Sequence, residues 1–166
     1  MNTLTACFLS ALIIGITATL VMDIWGALRQ RAFAIAAPNY GLVGRWILHM
    51  RHGQFQHDAI SRSAPIARET LVGWLAHYMI GIAFAGLLLV VAGPGWIDHP
   101  TAGLPILIGL VTVAAPFLLM QPGMGAGIAA SRTPAPNKAR LQSLLNHGVF
   151  GVGLYTGGWA SHLILY

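Results

Sequence analysis

The chain has 166 residues, of which 56% are hydrophobic and only 8% are charged, and its formal net charge is +5. Soluble domains carry about 25% charged residues, so this composition excludes a soluble globular protein and predicts an all-α membrane protein. The positive residues lie between apolar runs and form no basic face interleaved with aromatic residues. We therefore expect the lipid bilayer as a partner and no nucleic acid.

Four apolar runs are long enough to cross a bilayer core of about 30 Å as helices. The first carries no charge before Asp23, and the second carries none between Glu69 and Asp98. The third is uncharged over residues 100–131, and Pro116 should kink it because proline lacks a backbone N–H donor. Within a single domain we predict transmembrane helices at residues 5–28, 70–92, 103–121 and 144–164.

The distribution of positive charge predicts the orientation of these helices. All nine Lys and Arg residues fall in the loops at residues 29–69 and 122–143, whereas the 93–102 loop and both termini carry none. Loops rich in Lys and Arg remain on the cytoplasmic side of a membrane. We therefore expect those two loops to be cytoplasmic, and the 93–102 loop and both termini to lie outside.

The 29–69 loop is the longest polar segment. Apolar residues over positions 42–50 recur on one helix face, Arg45 lies on the other, and Asn39 precedes them as a candidate N-cap. This pattern predicts a short amphipathic helix in the membrane interface, with Trp46 at the depth of the lipid headgroups.

Three histidines and one acid follow closely in the same loop. They are His49, His52, His57 and Asp58. First-row transition metals favour imidazole and carboxylate ligands, so a zinc or iron site is one interpretation. The spacing matches no closed zinc pattern, so solvated interfacial histidines are the alternative.

Polar side chains of all four predicted spans fall in the cytoplasmic half of the membrane. Gly73, Gly81 and Ala85 share a helix face with His77, and such small residues let another helix approach, so this imidazole should face protein. Polar groups in lipid are costly, and convergence on one pocket would explain them, although each could instead be a packing or interfacial group. The candidate pocket residues are Asp23, His77, Tyr78, Met120, Gln121, Asn146 and His147.

Glycines follow the third apolar run at positions 123, 125 and 127. We expect unwound backbone from Met120 to Gly127, as in the broken helices that mark substrate sites in transporters. Ordinary loop glycines are the alternative. A phosphate-binding loop is disfavoured because no soluble strand precedes the glycines.

Five short motifs carry a family resemblance. They are NYGLVGRW (39–46), GQFQH (53–57), GWLAHY (73–78), PFLLMQPGMG (116–125) and HGVFG (147–151). On these motifs the chain resembles, over nearly its whole length, the bacterial inner-membrane proteins grouped as domain of unknown function 2938. The resemblance implies a small polytopic protein of the bacterial inner membrane, whose outer termini would be periplasmic, and it assigns no catalytic residue.

Three classes of function remain open. An ion- or proton-coupled transporter of small solutes, or a component of one, would use Asp23, His77 and His147, because histidine changes charge near neutrality. Four helices leave little room for a path, so we expect a homo-oligomer or another membrane protein as partner. A redox protein would instead bind haem or a metal through His77 and His147.

The third class is a non-catalytic assembly or envelope-stress component, in which the polar residues only fix the helix register. An enzyme is less favoured than these, because the sequence contains no H-E-x-x-H or Walker motif and few acids.

Overall fold

The computed structural model describes residues 3–165, and within that range it is helical and contains no β-strand. The helices are α1 (Thr3–Phe33), α2 (Tyr40–Met50), α3 (Glu69–Ala92), α4 (Gly103–Val111), α5 (Gln121–Gly123) and α6 (Pro136–Leu165). Short 3₁₀ turns lie at Ile60–Arg62, Pro94–Ile97 and Ile128–Ala130, and a π-helical turn lies at Pro116–Met120. The all-α prediction is confirmed for the described residues.

Three helical stretches are long and apolar enough to cross a membrane. They are Leu4–Phe33, Glu69–Ala92 and Gly103–Gly123, and they correspond to the first three predicted spans. The first runs beyond the predicted end at residue 28, because arginine is a good helix former and the helix ends only where Ala34 adopts a left-handed φ of 54°. By their length and composition, these helices indicate a membrane protein.

The fourth predicted span lies within α6, which has 30 residues and starts with Pro136. The helix begins eight residues before the predicted span because proline is well suited to the first helical position. Glycines and polar residues make α6 less hydrophobic than the other long helices, and it is not among the three stretches that are apolar enough to cross a membrane.

At Pro116, where the sequence predicts a kink in the third span, the structure has a π-helical turn that covers Pro116–Met120, beyond the end of α4 at Val111. The prediction of unwound backbone from Met120 is wrong for the first residues. Gln121 has helical angles (φ −63°, ψ −45°), and the Met124 N–H donates to the Met120 carbonyl at 2.9 Å. Left-handed backbone begins only at Gly125, where φ is 93°.

The described chain divides into two compact units. Unit 1 comprises the described residues of Met1–Ala37, Tyr78–Thr112 and Leu145–Tyr166, and unit 2 comprises Pro38–His77 and Val113–Leu144.

Small residues bring the helices of unit 1 into close contact. Any side chain at Gly15 of α1 would overlap the backbone of Ile82 in α3, and one at Gly109 of α4 would overlap Gly151 of α6. Buried apolar residues fill the space between these helices. They include Ile14, Ala18, Ala85, Leu88, Ile108, Phe150 and Leu154. Such close packing of small residues is typical of helix association in membranes.

Candidate functional site

In unit 2, the polar segment between α2 and α3 (residues 51–68) is hydrogen-bonded to the glycine-containing turn at the end of α5 (residues 123–127). The His57 N–H donates to the Gly123 carbonyl at 2.9 Å, and the Ile60 N–H donates to the Met124 carbonyl at 3.0 Å. Gly125 lies so close to the Asp58 carbonyl that a side chain at this position would overlap it. Gly125 therefore allows the close approach of two backbone segments.

Trp46 of α2 takes part in the same packing. Its Nε1–H donates to the Phe55 carbonyl at 2.9 Å, and its ring lies where a side chain at Gly123 would be. The sequence predicted this indole at the depth of the lipid headgroups. Because the ring contacts Gly123, at least part of the apolar face of α2 packs against protein.

Arg45 of α2 and Glu69 of α3 form an ion pair. Arg45 Nη2 lies 2.7 Å from Glu69 Oε1, and Arg45 Nε lies 2.8 Å from Glu69 Oε2. The guanidinium also donates to the Ser63 carbonyl at 3.0 Å, and the Ile66 N–H donates to Glu69 at 3.0 Å. The hydrogen bonds to Glu69 raise the pKa of Arg45. This pair joins α2 to the first residue of α3.

Sequence reasoning missed this pair. It treated Glu69 only as the charge that bounds the second apolar run, and it placed Arg45 on the polar face of α2. The available signal was the scarcity of acids, since the chain has only four. An acid at the start of a membrane helix therefore predicts an ion pair with a basic residue of the adjoining loop.

Two of the candidate metal ligands contact each other. The ring centroids of His49 and His57 lie 5.0 Å apart, and the two ring planes meet at an angle of 73°. His49 Nε2 lies 3.1 Å from the Ala64 carbonyl, and His57 Nδ1 lies 2.9 Å from Ser63 Oγ. Burial of His57, and to a smaller extent the neighbouring His49, lower the pKa of His57.

His52 and Asp58, the other two candidates in this segment, are exposed. Among residues 3–165, no group of three or more His, Cys, Asp or Glu side chains could hold a metal ion. The four candidates therefore form one pair, His49 and His57, whose rings are hydrogen-bonded to nearby protein groups, while the other two side chains are exposed.

A cavity of about 420 Å³ opens beside this pair. Seven of the residues that line it come from the polar segment between α2 and α3, one belongs to α5, and one follows the 3₁₀ turn at Ile128–Ala130. They are Gln54, Gln56, His57, Asp58, Ala59, Arg62, Ser63, Pro122 and Arg132. The lining therefore combines two cationic side chains, one anionic side chain and several hydrogen-bonding groups.

In unit 1, the structure brings together two of the predicted pocket residues. Tyr78 Oη of α3 donates to Asp23 Oδ2 of α1 at 3.0 Å. Both residues lie within helices that could cross a membrane. The hydrogen bond therefore links a carboxylate on one candidate membrane helix to a phenol on another.

His147 of α6 contacts α4 within the same unit. Its Nδ1 lies 3.2 Å from the Gly109 carbonyl and 3.1 Å from Thr112 Oγ1, which itself donates to Gly109 at 2.7 Å. A carbonyl can only accept, so the bond to Gly109 requires the tautomer with hydrogen on Nδ1. This geometry is that of a core imidazole bonded to a helix carbonyl.

The other predicted pocket residues are divided between the units. His77 of unit 2 stacks on Tyr40, with ring centroids 4.0 Å apart, and Gln121 Nε2 lies 3.4 Å from Ser143 Oγ. Met120 ends the π-helical turn of unit 2. Asn146 belongs to unit 1, and its buried Oδ1 has no hydrogen-bond partner among the described residues.

A family model for proteins of unknown function, DUF2938, matches residues 12–161. This match confirms the family that the sequence motifs resemble. No curated protein matches the chain, and no solved structure matches it.

Proposed function

We propose that this chain, which belongs to the DUF2938 family of proteins of unknown function, moves a small solute together with an ion or a proton. It would act as a homo-oligomer or as a component of a larger membrane transporter. The three helices that are long and apolar enough to cross a membrane support a membrane role.

The proposed topology has four spans in the bacterial inner membrane. At 1.5 Å per residue, the 30 residues of α6 extend over about 45 Å, which is long enough for a fourth crossing. α2 would lie at the cytoplasmic interface with the Lys- and Arg-rich loops. Both termini would be periplasmic, since positive loops remain inside.

The hydrogen bond between Tyr78 and Asp23 carries the proposal. A carboxylate within a membrane helix is costly, and such groups commonly serve ion or proton pathways. Because the 3.0 Å bond joins α1 to α3, protonation of Asp23 would change an interaction between two candidate membrane helices. A group with that property can couple proton binding to helix movement.

The interrupted third helix supports the same function. π-helical turns often occur at functional sites, and transporters place their binding sites at breaks in membrane helices. Here the π-helical turn at Pro116–Met120 is followed by Gln121, whose buried Oε1 has no hydrogen-bond partner among the described residues. This amide could contact a polar solute.

Proton movement in reconstituted vesicles tests the proposal. The purified protein would be placed in liposomes containing a pH-sensitive dye, and a panel of organic acids, amines, sugars and metal cations would be added outside. We expect at least one solute to drive proton movement, and we expect Asp23→Asn to abolish it. Asp98→Asn is the matched control, because Asp98 is an exposed carboxylate outside the candidate spans.

Two results would count against transport. One is a wild-type protein whose vesicles behave like empty vesicles for every solute in the panel. The other is an Asp23→Asn protein that retains full solute-driven proton movement.

A further inference from the structure

The cavity beside His57 lies outside the three stretches that could span a membrane, except for its contact with Pro122. Its volume of about 420 Å³ falls within the range of about 300–1,000 Å³ typical of small-molecule sites. It is therefore large enough for an organic molecule and too large for a small inorganic ion to fill alone. The proposed transport path does not use it.

The charged groups that line the cavity are not neutralised by the protein. Arg62, Arg132 and Asp58 are all exposed, and none of their side chains forms an ion pair with another described residue. Two guanidinium groups against one carboxylate leave an excess of positive charge. Guanidinium groups bind phosphate and carboxylate through two parallel hydrogen bonds, which makes arginine well suited to oxyanions.

Both arginines lie on turns that are held by hydrogen bonds. The turn that carries Arg62 is bound through the Ile60 N–H to Met124, and Arg45 donates to the Ser63 carbonyl next to it. The backbone N–H of Arg132 donates to the Ala126 carbonyl at 2.8 Å. These bonds fix the backbone at both arginines, so binding a ligand would require little ordering of the chain.

One buried polar group also lines the cavity. His57 is 8% exposed, and its Nε2 has no hydrogen-bond partner among the described residues. Its Nδ1 is bonded to Ser63, which is another residue of the lining. A buried imidazole nitrogen without a partner marks a place where a ligand group or a water molecule could be bound.

We propose that this cavity binds an oxyanion, a phosphate or carboxylate group of a larger organic molecule, with Arg62 and Arg132 as its cationic donors. Asp58 favours ligands that carry an ammonium or hydroxyl group near the oxyanion. A soluble phosphate ester and a lipid headgroup share this chemistry. The proposal goes beyond transport, since binding here does not depend on proton movement through the membrane helices.

Calorimetric titration tests whether the cavity binds the oxyanion of a soluble molecule. Inorganic phosphate and glycerol 3-phosphate would be added to the full-length protein in an uncharged detergent. We expect glycerol 3-phosphate to bind, and we expect Arg62→Gln and Arg132→Gln each to weaken binding by about tenfold, as for the loss of one charge-assisted contact. Asp58→Asn should strengthen binding, because it removes a negative charge from the lining.

Native mass spectrometry tests whether the cavity binds the oxyanion of a lipid headgroup. If the oxyanion belongs to a headgroup, the protein purified with phosphatidylglycerol should retain this lipid, and Arg62→Gln and Arg132→Gln should lose it. Retained lipid should also block glycerol 3-phosphate. Either source supports the oxyanion site.

Arg51→Gln is the matched control, because Arg51 is an exposed arginine of the same segment that does not line the cavity. Arg62→Lys and Arg132→Lys keep the charge and should lose less affinity than the glutamine variants. The proposal is overturned if neither glycerol 3-phosphate nor phosphatidylglycerol binds. It is equally overturned if Arg51→Gln weakens binding as much as the cavity variants, since the effect would then reflect general surface charge.

Discussion

Gly44 of α2 and Gly73 of α3 bring two helix backbones into direct contact. A side chain at Gly44 would overlap the Glu69 carbonyl and come within 2.6 Å of the Gly73 nitrogen. We predict that Gly44→Ala destabilises the protein by about 1–3 kcal/mol, because the added methyl group forces the backbones apart. Thermal unfolding in detergent micelles, followed by circular dichroism, measures this effect.

Gly86→Ala is the control for this substitution. Gly86 also lies in α3, but nothing lies within 4 Å of the position that its side chain would take. Alanine favours the helix over glycine, so this variant should be at least as stable as the wild type. Equal unfolding temperatures for Gly44→Ala and the wild type would show that the two backbones do not meet.

The ion pair between Arg45 and Glu69 should stabilise the junction of α2 and α3. We predict that Arg45→Gln and Glu69→Gln both lower the unfolding temperature, because each leaves a half-buried partner without its bidentate contact. The unfolding temperature of Arg45→Lys should lie between those of these variants and that of the wild type, since lysine keeps the charge but lacks the planar guanidinium group that forms two parallel hydrogen bonds. If the double variant loses as much stability as the two single losses added together, the residues do not interact.

The lowered pKa of His57 predicts a dependence of stability on pH. The unfolded chain binds a proton near the ordinary histidine value of 6.5, whereas the folded protein binds one only at lower pH. The stabilisation from neutral His57 is therefore complete above pH 6.5 and is lost as the pH falls through the folded-state value. Hydrogen exchange of residues 57–63 should accelerate as the pH falls in this range, after correction for intrinsic exchange.

His57→Gln should remove this pH-dependent loss of protection, because glutamine does not titrate. His52→Gln is the control, since His52 is exposed and its loss should leave the dependence intact. If protection of residues 57–63 does not change with pH in the wild type, the lowered pKa does not contribute to stability.

The orientation of the membrane helices can be tested with reporters. A reporter fused after Tyr166, a residue outside the described range, should be active in the periplasm, because all nine Lys and Arg residues lie in the two loops proposed to be cytoplasmic. A reporter inserted near Lys138 should be active in the cytoplasm. The reverse pattern would contradict the proposed topology.

The positions of the helices were largely predictable because charge is scarce in this chain. The uncharged runs before Asp23 and after Glu69 place α1 and α3, and the missing N–H of Pro116 places the interruption after α4. The end of α1 was not predictable, since it depends on the left-handed backbone of Ala34. No side-chain pattern indicates that conformation at an alanine.

The candidate site was less predictable because its contacts depend on tertiary structure. Arg45 and Glu69 are 24 residues apart, and they meet only because glycines allow α2 and α3 to touch. His57 is buried although Gln56 and Asp58 on either side of it are exposed. The sequence identified the histidine but not its burial, which arises from hydrogen bonds to the turn after α5.

We propose that Asp23 exchanges a proton within the candidate membrane helices, and infrared difference spectroscopy at varied pH can detect this exchange. We predict a pH-dependent carboxyl band in the reconstituted protein that disappears in Asp23→Asn and persists in Asp98→Asn. The band should shift in frequency in Tyr78→Phe, because the carboxylate loses its 3.0 Å hydrogen bond. Identical difference spectra for the wild type and Asp23→Asn, over the pH range in which the protein moves solute, would contradict the claim.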